Sequence, residues 1–269
     1  VNDRENTRPA RTDMLGVDDT ALAMTDTGGT GRPVVYLNGA FSSQRAWHRV
    51  VAELGSPWRH VSYDMRGRGR SRRSSDYTFG TAVRDLGAVL DAAGIDRPIL
   101  VGWSYGAAVA LHWAASNPSR AHGLVLVDGG YPYDWVDDNA RTQIRRRFRR
   151  ARWTFPVLRR LGMAGWMPAE EHAEVSIEAN EVMGALDGVY DAVTCPVRFI
   201  AASGTSVGGT GSEFARMRAT LDPVLARDPH VRLHATVPSN HVTILRKDFR
   251  VVADAVRHTA AEDRHRTGP

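Results

Sequence analysis

The chain has 269 residues, of which 42% are hydrophobic and 24% charged, with a formal net charge of +5. These values belong to a globular chain with room for a sizeable core and exclude a disordered or collagen-like one. With the single cysteine Cys195 no intrachain disulfide can form, so a small buried residue in a reducing compartment is expected there.

No apolar run approaches the roughly 20 residues of a membrane span, and the polar leading stretch "VNDRENTRPARTD" lacks the apolar core of a signal peptide. A soluble, cytoplasmic protein that binds neither membrane nor nucleic acid is the expectation. The positive excess sits in one stretch, "RTQIRRRFRRARWTFPVLRR" (141–160), so it concerns one element rather than the whole chain.

In chain order, "MLGVDDTALAMTDTGGTG" alternates weakly around a "VDD" turn, as a hairpin does. "PVVYL" (33–37) is a continuous apolar run of the kind covered on both faces, and "SQRAWHRVVAEL" after it is helix-like. "HVSYD" (60–64) reads as a strand that "MRGRGRS" stops with a tight loop. "FGTAVRDLGAVLDAAG" carries helical spacing and a C-capping Gly94. Two further buried strands, "PILVGW" and "GLVLVD", flank the helix "YGAAVALHWAASNP".

From about Tyr133 to Val193 only helix-like segments follow, punctuated by Pro156, Gly162, Gly165 and Pro168. Strand and helix then resume with "PVRFIAAS", a helix around "EFARMRATLDPVLAR", the strand "VRLHATV" and a last helix "FRVVADAVRHTA". Alternating strands and helices predict an α/β fold: a mostly parallel sheet with helices on both faces. The helical block reads as an inserted cap at 133–193, dividing a core of 1–132 and 194–269.

The stretch that carries chemistry is Gly102-Trp103-Ser104-Tyr105-Gly106, directly after a predicted strand and before a predicted helix. Small neighbours are needed where a nucleophile sits on a sharp, strained turn. A serine hydroxyl is a poor nucleophile near neutral pH and needs a base, itself oriented by a third group. "VPSNHVTILRKDF" supplies His241 in a loop after the last strand.

For the orienting acid, the position after "PVRFIAAS" holds "GTSVGGTGSEF", with only Glu213 some way on. The preceding strand ends in Asp128, at the carboxyl edge where sites of α/β sheets collect. The expectation falls on Asp128, with Glu213 as the alternative. Oxyanion donors are expected from the backbone N–H of Tyr105, at a helix N-terminus, and of Ala40 in "YLNGAFSSQRAW", where Gly39 permits close approach of the backbone to substrate.

With "NGAF", "YDMRGRGRS", "GWSYG", "LVLVDGG" and "SNHVT" in this order, the chain resembles an α/β-hydrolase with a helical cap over nearly its full length. An acid after the strand preceding the cap is similar to the arrangement in zearalenone-type lactonases and some haloalkane dehalogenases. Dehalogenases and epoxide hydrolases of this family carry an aspartate nucleophile where this chain has Ser104, so the resemblance implies hydrolysis of a small-molecule ester or lactone by a carboxylic ester hydrolase. Asn38 stands where the family usually has histidine, and "GAA" follows the serine's neighbour where a third glycine is common.

No HExxH or paired CxxC pattern implies a metal, and no organic cofactor is implied. Two other readings stay open: a non-hydrolytic natural-product enzyme, such as a cyclase or carbon-carbon bond cleaver, and a ligand-sensing binding module. Oligomeric state is open too, a homodimer included. Asp64 and Arg66 read as a loop held by ion pairs and turns. Ile144, Phe148, Ala151 and Phe155 form an apolar helix face beneath solvated arginines, with attraction of an anionic substrate or partner as the sharper alternative. Trp153, Met163, Trp166 and Met167 would suit the ceiling of an apolar pocket, although such residues are more often plain core.

Overall fold

A computed structural model describes residues 10–160, 164–205 and 210–262. The hairpin β1 (Arg11–Val17) and β2 (Thr20–Asp26) turns at Asp18-Asp19, with Asp18 at φ 42°. β3 (Arg32–Leu37) leads through one helical turn at Gln44–Trp47 into α1 (His48–Leu54) and β4 (Trp58–Tyr63). There follow α2 (Phe79–Ala93), β5 (Ile99–Trp103), α3 (Tyr105–Ser116) and β6 (Gly123–Val127). Gly94 ends α2 in the left-handed region, φ 56°.

The helices α4 (Asp138–Ala151), α5 (Phe155–Arg160), α6 (Ala169–Gly184) and α7 (Asp187–Tyr190) lie between β6 and β7 (Val197–Ala202) in the chain. After them come α8 (Gly211–Ala219), α9 (Asp222–Arg227), β8 (Val231–Val237), α10 (Ile244–Lys247) and α11 (Phe249–Ala261). Strand order is β1-β2-β4-β3-β5-β6-β7-β8, parallel from β4 through β8 and antiparallel at the hairpin and its junction with β4.

The central strands read as unbroken apolar runs because both faces are covered. Val35, Leu37, Leu100, Leu124 and Leu126 point to a core shared with α2 and α3. Their alternate neighbours Val34, Tyr36, Ile99, Val101 and Val125 point to a second core built with α1 and α11. Where one helix is expected around "EFARMRATLDPVLAR", the structure has two. Pro223 accounts for the break: it lacks an N–H and is accommodated only in the first turn of a new helix, here α9.

Asp64 and Arg66 do hold the loop after β4. Asp64 accepts the N–H groups of Gln44 (2.7 Å) and Arg70 (2.9 Å). Arg66 forms a fork with Asp85, both bonds 2.8 Å, and a further bond of 2.6 Å to Asp18.

At the opposite end of β4, buried Arg59 binds Asp26 at 2.6 and 3.1 Å and the Ala93 carbonyl at 2.8 Å. Burial acts to raise the Asp26 carboxyl, but the Arg59 guanidinium and the Gly28 N–H outweigh it and leave the group below its ordinary value. A folded-state value below the unfolded one means that this contribution is complete above the unfolded value and lost as pH falls through the folded one. Asp26→Ala strands a buried guanidinium and is expected to destabilise by about 3 kcal/mol near neutral pH. In urea titrations its deficit relative to the parent chain should shrink on acidification through the carboxylate range.

Within the helical insertion the arginine-rich α4 lies against α6. Arg141 bonds Glu181 at 2.7 Å, and Arg145 forms a fork with Glu174 at 2.7 and 2.9 Å. The apolar face is as expected: Ile144, Phe148 and Ala151 are half-buried and Phe155 is buried, with Phe148 edge-on to Phe41 of the core. The two tryptophans, by contrast, are neither pocket ceiling nor core. Trp153 is 78% exposed beneath the Arg152 guanidinium, because the chain tightens into a single narrow turn at 152–154 that swings the indole outward. Trp166 is half-exposed and donates to the Gly69 carbonyl at 2.9 Å, Met167 is buried with Tyr77 and Val175, and Met163 lies outside the described residues. Among the described residues no helix is long and apolar enough to cross a membrane.

Candidate active site

Three strands of the parallel sheet deliver three side chains to its carboxyl edge. β5 runs into Ser104, which stands at φ 56°, ψ −120° immediately before α3. A side chain in that region is strained and persists only where the surroundings impose it. Here they do. Ser104 N–H is fixed by the Val127 carbonyl at 3.1 Å. A Cβ on Gly129 would lie 2.5 Å from Ser104 Cα, and one on Gly106 would strike the Leu37 carbonyl. The turn is thus clasped between the ends of β3 and β6, which only hydrogen atoms at 106 and 129 allow.

Asp128 follows β6, buried and itself at φ 43°. Its Oδ1 accepts the Tyr131 hydroxyl (2.9 Å) and the Ala202 N–H (3.0 Å), and its Oδ2 takes His241 Nδ1–H at 2.8 Å. Burial works to raise this carboxyl, and the His241, Ala202 and Tyr131 donors together hold it below its ordinary value. It therefore stays ionised and acceptor-only. With Nδ1–H directed at Asp128, His241 presents the lone pair of Nε2 to Ser104 Oγ, 3.0 Å away.

His241 comes from the turn after β8. That turn is built locally by Asn240, whose Oδ1 accepts the Thr243 N–H (3.0 Å) and hydroxyl (2.8 Å), and by Ser239, which bonds Asp248. Trp103 braces it from the core: its Nε1–H donates to the His241 carbonyl at 3.2 Å, and the two rings lie 5.5 Å apart.

Of the residues expected from sequence, Ser104, His241 and Asp128 form one hydrogen-bonded line, whereas the alternative acid Glu213 does not join it. Glu213 is exposed and belongs to the N-terminus of α8, where it and Thr210 exchange hydrogen bonds in a capping box. Tyr105 opens α3, so its N–H has no intrahelical acceptor. Ala40 lies in the turn that Gly39 starts by accepting the Ser42 N–H at 3.1 Å. Gly39 packs on the Trp103 indole, where a Cβ would come within 3.0 Å of the ring. Asn38 is buried with both ends of its amide engaged, donating to the Tyr63 carbonyl (2.7 Å) and accepting from Trp47 (2.9 Å).

Sequence reasoning did not single out Tyr131 or Gly129. Both follow Asp128 in "DGGY", and an aromatic hydroxyl three residues past a buried acid was the available signal. Tyr131→Phe removes one of three donors to a buried carboxylate. We expect about 1.5 kcal/mol of lost stability by denaturant titration and a several-fold fall in any turnover that depends on His241.

Residues 32–154 match the family model described as alpha/beta hydrolase fold. A haloalkane dehalogenase of Mesorhizobium japonicum is 32% identical over 148 residues, 54% of this chain and 48% of that protein. The chain thus spans less than half the length of these curated relatives, 38% for the lipase LipV of Mycobacterium tuberculosis. Among solved structures, a carboxylesterase of the thaumarchaeon Nitrososphaera gargenis superposes with a TM-score of 0.73 at 16% identity, covering 93% of this chain and 100% of the other. The enol-lactonase from Burkholderia xenovorans LB400 gives 0.68 at 15%, with the same coverage. The chain has the alpha/beta-hydrolase fold.

Proposed function

We propose that the chain is a serine hydrolase that cleaves a small-molecule ester or lactone. The observation that carries this reading is the unbroken line from Ser104 Oγ through both nitrogens of His241 to Asp128. Ser104 attacks the carbonyl carbon while His241 Nε2 takes its proton, and Asp128 keeps the imidazole in the required tautomer and stabilises the imidazolium that forms. The N–H groups of Ala40 and Tyr105 receive the oxyanion of the tetrahedral intermediate. Its collapse expels the alkoxide, which His241 protonates, and leaves an acyl-enzyme. Water, deprotonated by the same imidazole, then releases the acid. From a lactone, acid and alcohol leave as one molecule.

Neighbours described as a carboxylesterase and an enol-lactonase support this choice over halide displacement, as does a serine at the nucleophile's position. The test pairs a fluorophosphonate label with a panel of aryl esters and macrolactones. One adduct per chain, mapped to the Ser104 peptide by mass spectrometry, with turnover of at least one panel member, is the expected result. An adduct elsewhere, or none, sinks the proposal. Turnover that the label leaves untouched favours the non-hydrolytic enzyme, and ligand binding without turnover the sensor.

A further inference from the structure

Arg68, in the loop after β4, is only 3% exposed. Its Nε donates to the Ala40 carbonyl at 2.8 Å and its Nη1 to the Arg66 carbonyl at 2.7 Å. Nη2 is buried without a hydrogen-bond partner, and the group lies 5.9 Å from the Tyr77 ring centre. The acids around the loop are engaged elsewhere: Asp85 and Asp18 by Arg66, Asp64 by the N–H groups of Gln44 and Arg70. Among the described residues, then, this guanidinium meets only neutral acceptors, and its field is not cancelled by a paired carboxylate. The field also reaches the residue after Ser104: burial pushes the Tyr105 phenol up, and Arg68 opposes that push.

A buried, uncompensated cation is costly to keep, and this one grips the carbonyl of the residue assigned to the oxyanion site. Resting on the serine-hydrolase reading, we infer that Arg68 is a positioning residue for the oxyanion: it holds the carbonyl of the Ala40–Phe41 peptide, which fixes the backbone of the residue whose N–H meets the developing negative oxygen, and it sets a positive charge beside that loop. At an effective dielectric of about 20, a unit charge about 8 Å from a developing opposite charge changes a rate by about thirtyfold, which sets the scale expected here. The charge has no matching demand in the ground state, so kcat rather than KM carries the effect.

The test compares Arg68→Met, which retains most of the apolar stem, with Arg68→Lys, which retains the charge, in the full chain. The substrate is 4-nitrophenyl acetate, and phenylboronic acid, whose adduct with a serine is a tetrahedral anion, serves as the probe. Arg68→Met is expected to lower kcat about ten- to thirtyfold with KM within about twofold, and to weaken phenylboronic acid by the same factor. Arg68→Lys should stay within about threefold of the parent in both. Thermal melts establish folding. A folded Met variant with unchanged kcat and boronate affinity overturns the inference, as does a Lys variant as impaired as the Met one. If the Met variant does not fold, the Lys variant decides: a tenfold loss of boronate affinity in a folded Lys variant overturns the inference, and retention supports it. A parent chain that neither turns over the ester nor takes the fluorophosphonate removes the hydrolase reading and this inference together. A labelled, active parent beside an unimpaired Met variant removes this inference alone.

Discussion

Ser104→Ala is expected to lower turnover by roughly four to six orders of magnitude without disturbing the fold, because attack, proton transfer and acyl-enzyme formation all start from one oxygen. Asp128→Asn should fall by about four orders, since an amide in that place reverses the imidazole and turns Nε2–H toward the hydroxyl it must deprotonate. The double variant should be little worse than Ser104→Ala alone, as groups that act in series do not add. Ser104→Gly provides an independent check through stability. At φ 56°, ψ −120°, removal of the side chain relieves backbone strain, so this inactive variant is expected to be more stable by about 1 kcal/mol. A Gly variant that melts below the parent would count against a strained nucleophile turn. Steady-state assays with denaturant titrations measure both halves.

Gly129→Ala is expected to be severely damaging for a change of a single methyl group. The added carbon would sit 2.5 Å from Ser104 Cα and as close to its carbonyl oxygen, with backbone on both sides and no flexible side chain to yield. Relief requires β6 and the Ser104 turn to part. A loss of about 3 kcal/mol and a fall of roughly a hundredfold in kcat are expected, the second because displacement of a nucleophile by an ångström costs that much. Gly188→Ala, at a position with no atom within 4 Å of the new methyl, is the matched control and should be neutral or slightly stabilising.

The sequence made the sheet legible because its innermost strands, β5 and β6 above all, are continuous apolar runs, a pattern that exists only where helices cover both faces. Ser104 and Asp128 were legible for the same reason, since each follows directly on such a run; His241 was legible from its loop after the last strand, whose residues include Arg232, His234 and Thr236. What remained hidden depends on contacts between segments distant in the chain. The break between α8 and α9 turns on Pro223, visible in the sequence but outweighed by the flanking helical pattern. Trp153 looks like core by composition, yet the turn at 152–154 faces it outward. Tyr131 bonding Asp128, Trp103 bracing His241 and Arg68 holding Ala40 are pairings that no periodicity encodes.

β8, the strand that brings His241, lies at the outer margin of the sheet and, among the described residues, pairs only with β7. The imidazole meets a hydroxyl 137 residues earlier in the chain, so a chain emerging from synthesis can complete β1 to β7 and still lack the group that faces Ser104. Under the proposed mechanism, chemistry therefore requires β8 to have docked, and a molecule in which it has not carries Ser104 without its facing imidazole.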